Sequence, residues 1–170
     1  MDSVEVQRSD ARGPGRVRSA AAGWWVLTLA GAAAFWSANL AISLTPVAAE
    51  FRSARSISYV PMLVEAAAGG LVVAGAVAFL LTRFPGRVPG HDPLGKALAL
   101  SAAALVLLTA FVGLPTALRS DVPDPGHWLM VETVINAIRL LALGVAIGLV
   151  ARARATRHDR HHPEARKALQ

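Results

Sequence analysis

The chain has 170 residues, of which 54% are hydrophobic and only 16% are charged, and its formal net charge is +6. Soluble domains carry about 25% charged residues, so long stretches of this chain are depleted of charge. The basic residues flank apolar runs without interleaved aromatic residues, which argues against a nucleic-acid partner and favours the lipid bilayer. The chain has no cysteine, which excludes disulfides and thiolate metal sites. It also has no nucleotide-binding motif, so we predict no cofactor and no metal site.

The N-terminal part predicts a basic tail over residues 1–20 and a first membrane span over about residues 21–44. A cleaved signal peptide is the alternative, because "TPVAAE" at residues 45–50 offers the small residues of a cleavage site. The apolar run before it has about 24 residues, whereas the apolar part of a signal peptide has roughly 7–15. We therefore predict that this segment stays in the protein as a helix.

The first connector is "TPVAAEFRSARSISYVP", with Pro46 near its start and Pro61 at its end. Between the two prolines, "VAAEFRSARS" predicts a short helix at the membrane surface. The second span follows over about residues 58–82. It contains a single acid, Glu65, about one helical turn inside the predicted outer boundary.

The remaining chain contains two more spans separated by short polar segments. "RFPGRVPGHDPLGK", residues 83–96, is rich in Pro and Gly and predicts an irregular loop. The third span is predicted over about residues 97–118, a short turn over 119–127, and the fourth span over about 128–151. Residues 152–170 predict a second basic tail.

These four segments predict an all-α fold, a four-helix transmembrane bundle. Each has the roughly 20 residues that a helix needs to cross a core of about 30 Å, and none shows the alternation of a barrel strand. The C-terminal tail contains three histidines at helical spacing, but its basic and polar sequence predicts a solvated tail rather than a metal site: His158, His161 and His162.

Basic residues are concentrated on one side of this predicted bundle. The two tails and the second connector together carry 13 Lys and Arg, whereas the opposite side carries only Arg52, Arg55 and Arg119. The positive-inside rule therefore predicts that the N and C termini are both cytoplasmic. The Ala-rich composition, with Arg far in excess of Lys, is typical of high-GC bacteria, so we predict a bacterial plasma membrane.

The fourth span has two distinct faces. At 100° per residue, Glu132, Asn136 and Arg139 lie within about 60° of one another. Gly144 and Gly148 lie on a different face, in the GxxxG spacing that lets helices approach closely. This glycine face predicts either a homodimer contact or packing against another helix of the same chain.

Polar residues in the four spans lie toward the predicted outer side. A charge at mid-bilayer costs about 2.5–3.5 kcal/mol, so such residues usually share a partner or a cavity. Glu65 and Glu132 are at similar depths, and Arg139 lies near the midplane. We predict an outward-facing polar pocket formed by these residues together with two amides: Asn39, Glu65, Glu132, Asn136 and Arg139.

Two roles are open for this pocket. It could bind a small amphipathic ligand or a partner helix, or it could be an ionic network that only fixes the order of the helices. Two carboxylates beside one arginine leave a surplus acid, which a purely structural pair does not need. We therefore favour a ligand site, and the sequence identifies no catalytic residue.

Three stretches resemble the anthrone-oxygenase-like family of small four-helix membrane proteins: "NLAISLTPVAAEFR", "FVGLPTALRS" and "HWLMVETVINAIRLLALGVA". The resemblance implies that Pro46 and Pro115 close the first and third spans. It also implies that Asn136 and Arg139 form the Asn-x-x-Arg pattern of the last span. A few fungal members are linked to anthrone oxidation, so the resemblance implies an alternative function. This alternative is a cofactor-independent oxygenase-like enzyme acting on a membrane-soluble aromatic.

Overall fold

The computed structural model describes residues 14–160, and the side chains of residues 23–157. Parts of the predicted tails lie outside these residues, namely 1–13 and 161–170 with His161 and His162, and also the side chain of His158. The described chain is all-helical, and none of its residues forms a strand. The predicted all-α class is therefore confirmed.

Five helices follow one another: α1 (Pro14–Ser43), α2 (Pro46–Ala54), α3 (Tyr59–Arg83), α4 (Pro93–Leu118) and α5 (Pro125–Arg160). The short helix α2 lies where the first connector predicts it, and the other four contain the predicted spans. Three boundaries differ from the prediction. α1 begins inside the predicted N-terminal tail, α4 begins inside the segment predicted as an irregular loop, and α5 continues through the start of the predicted C-terminal tail.

A polar residue followed by proline precedes three of these helices and explains where they begin. The side-chain oxygens of Thr45, Asp92 and Asp124 accept bonds from the backbone N–H three residues later, at 3.3, 3.0 and 3.1 Å. The following proline has no N–H to leave unpaired, and its φ suits a first helical turn. Asp92 caps α4 in this way within the Pro- and Gly-rich segment, so the helix starts earlier than predicted.

Four helical segments are long and apolar enough to cross a membrane: Gly23–Ser43, Tyr59–Arg83, Pro93–Leu118 and Pro125–Arg157. They leave large apolar side chains exposed on the outside of the bundle, among them Leu29, Val72, Val106, Phe111 and Leu141. Such a surface is unusual in a soluble monomer, whereas a bilayer offers it lipid contact. The architecture therefore fits a multi-pass membrane protein in contact with the lipid bilayer.

α1 and α5 are the two inner helices of the bundle, because they pack along each other, α5 also packs along α4, and α1 also packs along α3. Leu140, Leu143 and Ile147 of α5 form the middle of the core with Ala74 and Ala78 of α3, and none of these is more than 1% exposed. The small alanines let the helices approach closely, and dispersion contacts then stabilise the packing.

The glycine face of α5 is covered by α4 of the same chain. A Cβ built at Gly144 would lie 2.5 Å from Oγ of Ser101, and one at Gly148 would lie 2.7 Å from Cα of Leu94. Both glycines are buried in this contact. Of the two contacts that the GxxxG spacing predicts, the structure has the one within the chain. This face is therefore covered and is not open to a second copy of the chain.

Pro115 lies inside α4 rather than at its end. Residues Thr109–Gly113 form a π-helical turn, in which the N–H of Leu114 bonds to the carbonyl of Thr109. Proline cannot donate a helical hydrogen bond and its ring clashes with the preceding turn, so one widened turn absorbs it. The helix then continues to Leu118, which corrects the expectation that this proline closes the third span.

Candidate ligand-binding cavity

A cavity of about 210 Å³ lies between α1, α2, α3 and α5, at the end of the bundle that holds α2. We call this end the α2 end, and the opposite end, where α1 begins and α5 finishes, the tail end. Part of the cavity wall is apolar and includes Ile42, Ala48, Met62 and Ile135. The rest is strongly polar and contains Arg52, Arg55, Glu65, Glu132, Asn136 and Arg139.

Four of the five predicted pocket residues line this one cavity: Glu65, Glu132, Asn136 and Arg139. Asn39 is the exception. It is fully buried on α1, and neither its Oδ1 nor its Nδ2 has a hydrogen-bond partner among the described residues. Asn39 lies one helical turn before Ser43, which does line the cavity. Asn39 itself is not a lining residue.

Glu132 pairs with an arginine that the sequence did not assign to the pocket. Its Oε2 lies 3.1 Å from Nη1 of Arg55, and the two side chains are 21% and 11% exposed. The approach is an ion pair without hydrogen-bond geometry, since Oε2 of Glu132 has no hydrogen-bond partner in the described part of the chain. Arg139, the partner expected from helical spacing, instead donates from Nη1 to Oδ1 of Asn136 at 3.3 Å.

The end of α2 positions Arg55. Ser56 follows it with φ 53°, in the left-handed region. The N–H groups of Ser56 and Ile57 then donate to the carbonyls of Ser53 and Arg52, at 3.2 and 2.9 Å. This is the Schellman arrangement, which usually uses glycine at the left-handed residue. It ends α2 at the residue before Arg55 and leaves the guanidinium against Glu132.

Arg52 ties α2 to the end of α1. Its Nη1 donates to the carbonyl of Ser43 at 3.0 Å, and its Cζ lies 5.1 Å from the ring centroid of Tyr59. The last carbonyls of a helix have no partner within the helix and carry partial negative charge, so a cation is favourable there. Tyr59 Oη also lies 3.3 Å from Oγ of Ser43, which links α3 to the same point.

A packed aromatic pair holds the other side of α2. The rings of Phe51 and Trp128 are 5.9 Å apart between centroids, so α2 contacts the start of α5. Phe51 also lines the cavity and lies under Arg55, whose Cζ is 5.1 Å from the ring centroid. α2 is therefore a wall of the cavity that contacts both neighbouring helices.

The charge of the cavity is opposite to the one expected from the sequence. Counting only the spans gave two carboxylates and one arginine, hence a surplus acid. The cavity wall contains Glu65 and Glu132 but also three arginines, Arg52, Arg55 and Arg139, so one positive charge is in excess. The surplus-acid interpretation is wrong because α2 brings two arginines of the first connector into the wall.

Arg139 forms the deep end of the polar wall. Its Cζ lies 6.0 Å from the ring centroid of Phe35, and that ring packs directly on Gly70 of α3. Nε of Arg139 is buried without a hydrogen-bond partner among the described residues. The aromatic face stabilises the guanidinium but accepts no regular hydrogen bond, so this N–H retains its donor capacity.

A second cavity, of about 320 Å³, lies at the tail end. Its charged groups already have protein partners. Lys96 Nζ donates to the carbonyl of Pro85 at 2.6 Å, Arg154 Nη1 donates to that of Gly23 at 2.7 Å, and Asp92 caps α4. These contacts fasten the helix ends together, so the α2-end cavity is the better candidate for a ligand site.

Comparison of the chain with protein-family models, with curated proteins and with solved structures gave no match. The resemblance to the anthrone-oxygenase-like family, and the oxygenase activity it implies, therefore stay predictions. The fold and the cavity define the class of protein: an all-helical bundle with four segments long and apolar enough to cross a membrane, and a charged cavity at one end.

Proposed function

We propose that this protein binds the polar end of a small amphipathic molecule in the α2-end cavity. The observation that carries the proposal is the cavity wall, which combines charged groups with apolar side chains of four helices. Polar groups that fix orientation within a largely apolar wall are typical of small-molecule sites. No residue of the cavity supplies a nucleophile beside a base, so binding is the function that its chemistry supports best.

The size and position of the cavity favour an amphiphile. Its volume of about 210 Å³ is below the roughly 300–1,000 Å³ of pockets that enclose a drug-sized molecule, so it fits a head group. Glu65 lines the cavity and is also exposed on α3, so the cavity reaches the outer surface of the bundle there. Val60 and Val64 of α3 are 68% and 64% exposed, and they offer an apolar surface for the rest of the molecule.

Filling the cavity should abolish binding. Ala48 is buried on α2 and lines the cavity, so Ala48→Met places extra side-chain atoms in the space for a head group. We expect the purified protein, in an uncharged detergent, to bind at least one of dodecanoate, dodecanol and dodecylammonium in a one-to-one complex detected by native mass spectrometry. Ala48→Met should lose that complex.

Ala49→Met is the matched control, because Ala49 is the next residue of the same helix and is exposed. It should bind as the wild type does. Both variants should keep the thermal unfolding midpoint of the wild type within a few degrees, which shows that the bundle is intact. Binding that survives in a folded Ala48→Met protein, or no binding of any probe to the wild type, contradicts the proposed function.

We further propose that the protein lies in the bacterial plasma membrane with the tail end in the cytoplasm, following the excess of basic residues there. The chain has no cysteine, so single cysteines can be labelled without background. A membrane-impermeant maleimide should label Ser53→Cys in intact cells, because Ser53 is exposed at the α2 end. It should label Thr156→Cys, exposed at the tail end, only after the cells are permeabilised. The reverse pattern would contradict this orientation.

A further inference from the structure

We infer that the polar end of the ligand is an oxyanion, a carboxylate or phosphate, held by Arg55 and Arg139. The inference rests on the proposed binding function and adds the charge of the molecule. The cavity wall has one more arginine than carboxylates. A buried excess charge is unfavourable unless a counter-charge meets it, so a neutral or cationic head group would leave the imbalance uncorrected.

The donors that could hold such an anion are already in place. Nε and Nη2 of Arg55 and Nε of Arg139 are buried, and none of them has a hydrogen-bond partner among the described residues. Both side chains belong to the wall of the same cavity. Guanidinium groups present rigid, paired N–H donors that match the two oxygens of a carboxylate or phosphate, and such bonds are roughly twice as strong as neutral ones.

The third arginine is engaged elsewhere. Arg52 bonds to the carbonyl of Ser43 and lies over the ring of Tyr59, so it closes α2 onto α1. A bound anion would compete with Glu132 for Arg55. Glu132 is the ion-pair partner of Arg55 in the structure, but the pair lacks hydrogen-bond geometry, so the N–H donors of Arg55 remain open to an anion in the cavity. Removing the negative charge of Glu132 should strengthen anion binding, whereas a variant that merely loses its fold would weaken it.

Head-group charge can be tested with probes that share one alkyl chain: dodecanoate, dodecylammonium and dodecanol, titrated separately against the protein in an uncharged detergent. Wild-type protein should bind dodecanoate most tightly. Arg55→Gln and Arg139→Gln should each weaken dodecanoate binding by about tenfold or more, because a charge-assisted bond is lost. Binding of dodecanol should change little in either variant.

Glu132→Gln provides the decisive arm. It should bind dodecanoate about tenfold more tightly than the wild type, because it removes the competing charge and raises the excess positive charge. Equal binding of the three probes, or tightest binding of dodecylammonium, overturns the inference. If the probes bind without a preference for dodecanoate and Ala48→Met abolishes their binding, the proposed binding function stands although the inference about charge fails. Weaker dodecanoate binding in a folded Glu132→Gln protein also overturns the inference.

Discussion

Replacing Glu132 by glutamine is expected to lower the free energy of unfolding of the ligand-free bundle by about 1–3 kcal/mol. The two side chains have nearly the same shape, so the loss comes from the charge. The side chain of Arg55 is 11% exposed, and its one ion-pair partner among the described residues is Glu132, at 3.1 Å. Removing one partner of a fully buried pair costs about 3–5 kcal/mol, and this pair is partly accessible, so a smaller loss is expected. Thermal unfolding in detergent measures it.

The double variant Arg55→Met/Glu132→Met is the control for this prediction. It removes both charges and keeps side chains of similar length, so no unpaired charge is left in the wall. Apolar replacement of a buried pair is often neutral or stabilising, and we expect the double variant to be at least as stable as Glu132→Gln.

Dodecanoate should raise the unfolding midpoint of Glu132→Gln more than that of the wild type, because it supplies the missing negative charge. A Glu132→Gln protein as stable as the wild type without ligand would show that the ion pair contributes nothing.

Gly70→Ala is expected to destabilise the bundle by about 1–3 kcal/mol, the typical cost of overpacking. A Cβ at Gly70 would lie 2.6 Å from Cδ1 and 3.1 Å from Cγ of Phe35. These are atoms of a rigid ring, so the ring or the helix must shift. Phe35 is 7% exposed and also contacts the guanidinium of Arg139. The substitution should therefore disturb the deep end of the cavity as well, and weaken dodecanoate binding.

Gly69→Ala is the matched control on the preceding residue. Apart from the adjacent residues and the backbone of its own helix, no atom of the described chain lies within 4 Å of a Cβ built there. Alanine favours a helix over glycine by up to about 1 kcal/mol, so this variant should be as stable as the wild type or slightly more stable. Unfolding midpoints that fall equally in the two variants would contradict the packing of Phe35 on α3.

The helices and the two faces of α5 could be predicted because both depend on local pattern. A long apolar run has few ways to satisfy its backbone in a membrane, so four runs predict four helices. Helical periodicity then fixes the angle between Glu132 and Gly148, whatever packs against them. The glycine spacing could not decide between a homodimer and an intrachain contact, because both need the same close approach. The position of α4 against these glycines decides it.

The charge of the cavity could not be predicted because it depends on the path of a connector. The sequence predicts Arg52 and Arg55 on the outer side of the membrane but outside the pocket. Their position depends on the turn at Ser56, which adopts a left-handed conformation without the glycine that normally marks it. The first connector did carry a signal, because Arg52 and Arg55 lie one helical turn apart just before the span that contains Glu65.

Asn39 illustrates a further limit of the sequence. Depth along a helix can be estimated by counting residues, whereas rotation about the helix axis depends on neighbours. Asn39 has the depth of a pocket residue but points into fully buried surroundings, so it is not part of the wall. Glu65 has a similar depth and does line the wall, although it is exposed on α3.

Photo-crosslinking of wild-type protein with a dodecanoate that carries a diazirine next to its carboxylate tests the central claim most directly. Peptide mapping should find the label on residues of the α2-end cavity, within residues 42–65 of α1, α2 and α3 and within residues 132–139 of α5. An excess of unlabelled dodecanoate should abolish this labelling. Label confined to the exposed apolar surface of α4, or to the tail-end cavity, would contradict an anion site between Arg55 and Arg139.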